Sequence, residues 1–217
     1  MSNLTALKDE LEGCTKCRLS NERTNLVFGA GSPEAEIMLV GEGPGRNEDE
    51  QGEPFVGRAG GLLTKLLTKV GVDRESVYIA NVVKCRPPNN RDPRRDEIAA
   101  CSPHLRQQVL AIKPKVIIGL GKFAGNYLTH QHGLSMASLR ELDWVYDRDG
   151  YKVWVVPTYH PASILYQDEK GKREIVQKMV DDLRKALRLM DEELPTDDET
   201  EELGSLLADV DITADQP

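Results

Sequence analysis

The segment "VGEGPGRNEDEQGEPFVGRAG" (residues 40–60) connects an apolar run to a stretch with helical periodicity. The run before it, "EIMLV" (36–40), is short and continuous, which is typical of a buried strand. A strand, a glycine-rich loop and a helix in this order form the unit from which parallel α/β sheets are built. The helix is indicated by apolar residues that recur at helical spacing: Leu62, Leu63, Leu66, Leu67 and Val70.

Three more apolar runs have the character of buried strands. They are "VYIANVVK" (77–84), "KVIIGLG" (115–121) and "KVWVVPTYHP" (152–161). The alternation with helices predicts a single-domain α/β fold, a three-layer sandwich in which a four-stranded parallel sheet has helices on both faces. The remaining helical patterns cover about 94–112, 122–128 and 172–189.

The irregular loops all leave predicted strands at the same end. They follow residues 40, 84, 120 and 157, at the carboxyl ends of the four runs. In a parallel sheet these ends lie along one edge, and ligands bind in the crevice outside that edge. We therefore expect the functional residues in these loops.

Acidic residues are concentrated at the C-terminus. The 217 residues include 36 acidic and 28 basic ones, and residues 191–217 hold eleven of the acidic and none of the basic residues. The other 25 acidic and 28 basic residues give residues 1–190 a weakly basic balance. We predict one folded domain over residues 1–190 and an acidic, disordered tail over 191–217, whose partner the sequence does not identify.

The N-terminal sequence and the apolar runs bear on location. "MSNLTALKDELEG" lacks the basic, apolar and small-residue order of a signal peptide. No apolar run approaches the length of a membrane span. We expect a cytoplasmic, monomeric protein without membrane contact.

Four cysteines have the spacing of a metal or cluster site. Cys14 and Cys17 form a C-x2-C pair, and fifteen residues separate Cys85 from Cys101. A cytosolic chain of this size does not need disulfides. Zinc and an iron–sulfur cluster both accept four thiolates, and the spacing alone leaves open zinc, a cluster or unligated buried thiols. With either metal, the site would tie the N-terminal segment to the proline-rich loop and so be structural.

The loop at 40–60 is unsuited to hold a nucleotide phosphate. It lacks the lysine and the terminal Ser or Thr of a P-loop, and its glycines do not follow G-x-G-x-x-G. Instead, Gly41, Gly43 and Gly45 predict a tight turn around Pro44 that lets a flat ligand approach the main chain closely.

Three side chains near the predicted carboxyl edge are candidates for ligand binding. Phe55 lies among glycines and a proline, where a ring is poorly placed for the core and well placed to stack on another ring. Asn81 falls inside an apolar strand, where a buried amide needs partners for its donor and its acceptor. His160 ends the fourth strand. Each also has a plain structural explanation, but a nucleobase edge would supply the partners that Asn81 needs.

Taken together with the four cysteines, "GEGPGRNEDEQGEPFVGRAG", "NVVKCRPPNNRDP" and "YHPASIL" closely resemble the iron–sulfur, family 4 uracil-DNA glycosylases. The resemblance covers residues 10 to about 190 in the right order and leaves the acidic tail outside. It implies a 4Fe–4S cluster held by the cysteines and a four-stranded parallel sheet between helices. It also implies base excision repair, in which uracil is hydrolysed from single- or double-stranded DNA and an abasic site is left, without strand cleavage.

The resemblance implies a role for each candidate residue. Phe55 would stack on the flipped base, and Asn81 would read its N3–H and O4 edge. Glu48 would lie near uracil C5, where a thymine methyl would collide. His160 would donate toward O2, and Glu42 would stabilise the cationic sugar and assist water. Other residues complete the expected substrate pocket: Gly41, Gly43 and Asn90.

Basic residues are dense around the third cysteine and would supply contacts to DNA. This basic cluster consists of Lys84, Arg86, Arg91, Arg94 and Arg95. The resemblance implies that Arg86, Arg91 and Arg94 hold backbone phosphates together with Ser163, and that Leu165 is a wedge inserted into the emptied base stack.

Two other interpretations fit parts of the sequence. A non-catalytic iron–sulfur protein of the same fold, bound to DNA or to a polymerase, would keep the cysteines and the basic cluster without activity. A zinc-stabilised hydrolase of free nucleosides would be colourless and would not need the basic cluster. Activity on a uracil-containing strand tests the first alternative, and the colour of the protein tests the second.

Overall fold

The computed structural model describes residues 3–131 and 133–195, and the predicted tail therefore lies outside the described residues from 196 onward. The helices are α1 (Asn3–Leu11), α2 (Arg46–Gln51), α3 (Arg58–Lys69), α4 (Arg95–Ile112), α5 (Lys122–Thr129), α6 (Met136–Glu141) and α7 (Glu169–Leu189). The strands are β1 (Ala30–Gly31), β2 (Ile37–Gly41), β3 (Tyr78–Asn81), β4 (Val116–Leu120), β5 (Trp144–Arg148) and β6 (Tyr151–Thr158).

The strands form one mixed sheet in the order β1-β3-β2-β4-β6-β5. The four central strands are parallel, and they are the four apolar runs of the sequence. β1 and β5 pair antiparallel with β3 and β6 at the two edges. The predicted α/β class is confirmed, but the prediction of a four-stranded, purely parallel sheet was wrong because it omitted both edge strands.

Helices cover both faces of the sheet, so the central strands are apolar on both sides. In β2, Met38 and Val40 pack into a core with α1, α4, α5 and α6. Ile37 and Leu39 point the other way, into a core with α3 and α7. This alternation follows from the two-residue period of a strand, and it explains why the strands read as continuous apolar runs.

The four central strands end along one edge, from which the functional loops leave. This edge carries residues 41, 81, 120 and 158. The loop after β2 differs from the prediction, because Arg46–Gln51 forms the short helix α2 within it. The chain after β6 continues at His160 into a 3₁₀ turn, Pro161–Tyr166, that packs against α3 and α7. None of the described helices is long and apolar enough to cross a lipid bilayer.

Candidate active site and thiol cluster

A cavity of about 350 Å³ opens at the carboxyl edge of the sheet. The loops after β2, β3 and β6 all contribute to its wall, so residues far apart in sequence meet there. Eight of the predicted site residues line it: Glu42, Gly43, Glu48, Phe55, Asn81, Asn90, Arg91 and His160. The structure thus brings the predicted base-binding and catalytic side chains together, while the other predicted DNA contacts lie outside this lining.

Gly41 lies behind the lining and allows two of its side chains to approach the main chain. A Cβ atom at this position would lie 2.4 Å from Asn81 Oδ1 and 2.8 Å from the ring of Phe55. Real Cβ atoms do not come so close to another atom. The end of β2 must therefore be glycine if the amide and the ring are to hold these positions.

Phe55 is held in an unfavourable backbone conformation. Its φ of 53° lies in the left-handed region, which is rare for residues with a side chain. Arg74 Nη2 donates to the carbonyl oxygens of Pro54 (3.0 Å) and Phe55 (3.1 Å). On the other side, a Cβ at Gly60 would lie 1.7 Å from the Phe55 oxygen, so the start of α3 packs directly on this turn. These contacts fix a residue that is only 7% exposed and lines the cavity. The expectation that the ring is poorly placed for the core was wrong, because it packs in the same core as residues of α3 and α7.

Asn81 is the last residue of β3 and is only 2% exposed. Its Oδ1 has no hydrogen-bond partner among the described residues. A buried acceptor without a partner costs about 1–3 kcal/mol, so native structures rarely keep one without a reason. In a cavity wall, such an acceptor is placed to receive a hydrogen bond from a ligand.

The ring of His160 is neutral and carries its proton on Nε2. Its Nδ1 accepts a hydrogen bond from the Ala162 backbone N–H (3.1 Å), which places the ring proton on Nε2. Burial lowers the pKa of His160, with a smaller opposite effect from Glu48. The ring lies 5.6 Å from that of Phe55 between centroids. A neutral donor therefore lies beside the aromatic wall of the cavity.

The two glutamates of the cavity differ in their surroundings. Burial raises the pKa of Glu42 to about 7, and the charge of Asp92 acts in the same direction. Glu48 is instead held against the turn at Phe55, because its Oε1 accepts hydrogen bonds from the backbone N–H groups of Val56 (3.0 Å) and Gly57 (2.9 Å). Glu42 has the properties of a proton acceptor near neutral pH, whereas Glu48 holds the turn that carries Phe55.

The predicted phosphate contacts are not equivalent. Arg91 donates two hydrogen bonds to the buried Glu97, from Nη1 (2.8 Å) and Nη2 (2.6 Å), and thus fastens the loop to α4. Arg86 Nε donates to Asn90 Oδ1 (2.7 Å). The Arg94 side chain is exposed next to the start of α4. The charge of Arg91 is therefore compensated within the protein, while Arg94 faces solvent.

Ser163 and Leu165 lie in the turn after His160. Ser163 Oγ donates to the His160 carbonyl oxygen (2.7 Å), so its hydroxyl stabilises the turn. Leu165 is half-buried, and the next residue, Tyr166, is 84% exposed. The most exposed apolar side chain of the turn is thus one position beyond the predicted wedge.

Lys84 does not belong to the exposed basic cluster, and that prediction was wrong. Its side chain is completely buried, and its Nζ donates to the Asn81 carbonyl oxygen (2.8 Å) and to Gln108 Oε1 (2.5 Å). Burial lowers the pKa of Lys84 to about 8. Gln108 in turn donates to Tyr78 Oη (3.2 Å). The network fixes the main chain of Asn81 on its buried side. The sequence analysis did not identify Lys84 as a support of Asn81, or Arg74 as a support of Phe55.

All four cysteines line one small cavity between the N-terminal segment, the loop after β3 and α4. Arg23 Nη1 donates to Cys85 Sγ (3.2 Å), and the backbone N–H of Lys84 donates to Cys101 Sγ (3.2 Å). Burial raises the pKa of Cys101 to about 11. Within residues 3–131 and 133–195, no group of three or more His, Cys, Asp or Glu side chains is arranged to hold a single metal ion.

Similarity to known proteins extends over most of the chain. A family model described as the Uracil DNA glycosylase superfamily matches residues 28–184. The type-4 uracil-DNA glycosylase of Saccharolobus solfataricus is 49% identical over 170 residues, which cover 76% of this chain and 79% of the relative. That of Thermotoga maritima is 44% identical over 182 residues, which cover 83% and 91%. The type-5 uracil-DNA glycosylase of Pyrobaculum aerophilum is 29% identical over 171 residues, which cover 72% and 73%.

Proposed function

The chain belongs to the uracil-DNA glycosylase superfamily, and from that premise we propose that it is a type-4 enzyme that hydrolyses uracil from DNA. The observation that carries the proposal is the cavity in which Glu42, Phe55, Asn81 and His160 meet, with a buried amide oxygen that lacks a partner. The reaction breaks the bond between C1′ of the sugar and N1 of uracil. Water supplies a hydroxyl group to C1′ and a proton to uracil, so the products are an abasic site and free uracil.

Asn81 and Phe55 would recognise the base after it leaves the duplex. Extrusion costs a few kcal/mol, which contacts in the pocket repay. The Asn81 Oδ1 would accept from uracil N3–H, and its amide N–H would donate to O4. Cytosine presents the opposite donor and acceptor on this edge, so its entry would leave buried polar groups unpaired. Such mismatches permit strong discrimination.

His160 and Glu42 would act on the two charges that develop as the bond breaks. Negative charge accumulates on uracil O2, where the neutral His160 would donate from Nε2. Positive charge accumulates on the sugar, and the Glu42 carboxylate would stabilise it and take a proton from the attacking water. Glu48, which fastens the turn at Val56 and Gly57, would bound the pocket near uracil C5.

We propose that the four cysteines hold a 4Fe–4S cluster. Two observations support the fit: the thiols surround one cavity, and two N–H groups already donate to their sulfurs. A single zinc ion needs sulfurs about 3.8 Å apart, as follows from its bond length of about 2.3 Å, and a cluster spaces them more widely. The cluster's contribution is structural, because it ties the N-terminal segment to the loop that carries Pro87, Asn90 and Arg91 of the pocket wall.

Contacts to the DNA backbone would come from the same edge of the sheet. We propose Arg86 and Arg94 as phosphate contacts, with the Leu165 turn entering the space that the base leaves. For Arg91 and Ser163 we propose supporting roles, since each is bonded within its own loop.

The test is release of uracil from a single strand that contains one deoxyuridine, with matched strands that contain cytosine or thymine at that position. We expect uracil release from the first strand alone and alkali-labile abasic sites in it. Asn81→Ala and His160→Ala should each lower kcat/KM by about 10²-fold or more, since each removes a directional contact made in the transition state. A wild-type protein without activity would contradict the proposal, as would unchanged activity in both variants.

A further inference from the structure

A second groove lies between the start of α4 and α5, and its lining begins at Pro93, two residues after Arg91 of the first cavity. Its volume is about 520 Å³, larger than that of the base cavity. Pro93 and Arg95 line one end, and Phe123, Asn126 and Tyr127 of α5 line the other. Of these residues, only Arg95 belongs to a feature that the sequence singled out, the basic cluster.

The groove contains an amide that the protein does not satisfy. Asn126 Oδ1 is buried and has no hydrogen-bond partner within the part of the chain that the structure describes. Apart from Asn81 Oδ1, the only other such side-chain atom in the described residues is His104 Nδ1, which lies at the thiol cavity. The two unpartnered amide oxygens thus each belong to a residue that lines a cavity. Both cavities therefore offer a buried acceptor to a ligand that carries an N–H donor.

The other lining residues fit a nucleotide. Phe123 and Tyr127 contribute half-buried rings, on which a base can stack. The Tyr127 hydroxyl is engaged with Ser102, so its ring is the part that the groove offers. Arg95 is exposed at the rim, where its guanidinium matches a phosphate.

The loop after β3 and the start of α4 connect the two cavities. Pro87, Asn90 and Arg91 line the base pocket, and Pro93 and Arg95 line the second groove. The two cavities are thus close enough along the chain for one substrate strand to reach both. The bidentate pair of Arg91 with Glu97 fixes the loop between them.

We propose that this groove binds an unpaired nucleotide of the substrate strand, close in sequence to the deoxyuridine. The inference rests on the proposed function. The base stacks on Phe123 and Tyr127, a base N–H donates to Asn126 Oδ1, and the phosphate contacts Arg95. A base in a pair cannot enter, so the groove favours single-stranded or frayed DNA.

The test uses short single strands that contain one deoxyuridine and one stable abasic analogue, which is placed at each neighbouring position in turn. The kcat and KM of uracil release are measured for each strand. In the wild type, one position should raise KM by about tenfold without changing kcat, as expected for loss of one stacked base. In Asn126→Leu and in Phe123→Leu, KM for the intact strand should rise and the penalty at that position should shrink. Leucine at 126 removes an unsatisfied acceptor, so this variant should melt no lower than the wild type.

Arg95→Gln gives an independent measurement. The slope of log KM against log salt should fall by about one unit, because one phosphate contact is lost. Lys69→Gln is the matched control, an exposed cation at the far end of α3, and should leave the slope unchanged.

The outcomes separate the two proposals. A wild type that releases uracil but shows no position-dependent KM overturns the second groove alone, and so does an Asn126→Leu variant that keeps the full penalty. A wild type that releases no uracil from any strand overturns the proposed function, and the groove assignment with it.

Discussion

Replacing Gly41 by alanine tests whether the end of β2 sets the position of the Asn81 amide, for which we propose contact with the base. The new methyl carbon would lie 2.4 Å from Asn81 Oδ1, and ordinary contacts begin at 3.4 Å, so the amide or the strand must move by about 1 Å. The ring of Phe55, at 2.8 Å, must also move. A displacement of this size in a reacting complex costs about 10²-fold in rate. We therefore expect kcat/KM on a uracil-containing strand to fall by about 10²-fold.

The same substitution should also reduce stability. Overpacking of a filled site costs about 1–3 kcal/mol, and for a chain of this size each kcal/mol lowers Tm by about 2–4 °C. Gly61→Ala is the matched control, because this glycine lies in α3 with no atom within 4 Å of the added carbon. It should keep full activity and gain up to about 1 kcal/mol in helix stability. Retention of at least half the wild-type kcat/KM in Gly41→Ala would refute the reasoning.

Three further predictions concern the pocket and the thiols. Burial raises the pKa of Glu42 to about 7, and its proposed role needs the carboxylate, so kcat/KM should fall about tenfold per pH unit below 7 and level off above it; Glu42→Gln should abolish this limb of the profile. Lys84→Met removes the donor that serves the Asn81 carbonyl oxygen and Gln108 Oε1, and it leaves both acceptors unpaired in the core. Urea denaturation should therefore show a free energy of unfolding lower by about 2–6 kcal/mol, and an unchanged midpoint would contradict the network. Cys101→Ser should remove the brown colour and lower Tm, whereas a colourless wild type that contains zinc would exclude the cluster.

The sequence predicts the centre of the fold well because burial on both faces makes the four parallel strands continuous apolar runs. It does not predict the edges. β1 has two residues, and β5 mixes buried Trp144 and Tyr146 with exposed Asp147 and Arg148, so neither gives a clear pattern. The helix α2 was missed because "RNEDEQ" has no apolar stripe. Its carboxylates are instead bonded to backbone N–H groups elsewhere in the chain, Asp49 to Thr24 and Glu48 to Val56.

The base pocket was predictable from single residues that fit their local pattern poorly, such as an asparagine in an apolar strand. The residues that hold the pocket residues in place were not predictable, because they act through contacts that only the fold creates. In the sequence, Lys84 looks like a surface charge, and only the fold places Gln108 of α4 against it, twenty-four positions away. Arg74 likewise holds the Phe55 turn from nineteen positions away.

The left-handed backbone of Phe55 has a consequence for how such a chain changes under selection. Glycine or asparagine would occupy this conformation more readily, and the strain of a larger residue there is about 1–3 kcal/mol. Truncation of the ring, however, would open a cavity in the core that contains Leu63 and Ile164, at a cost of about 3–5 kcal/mol, so relief of the strain alone does not favour a small residue. The phenylalanine is therefore kept in a strained conformation by packing on one side of its ring, while the other side remains available to the cavity.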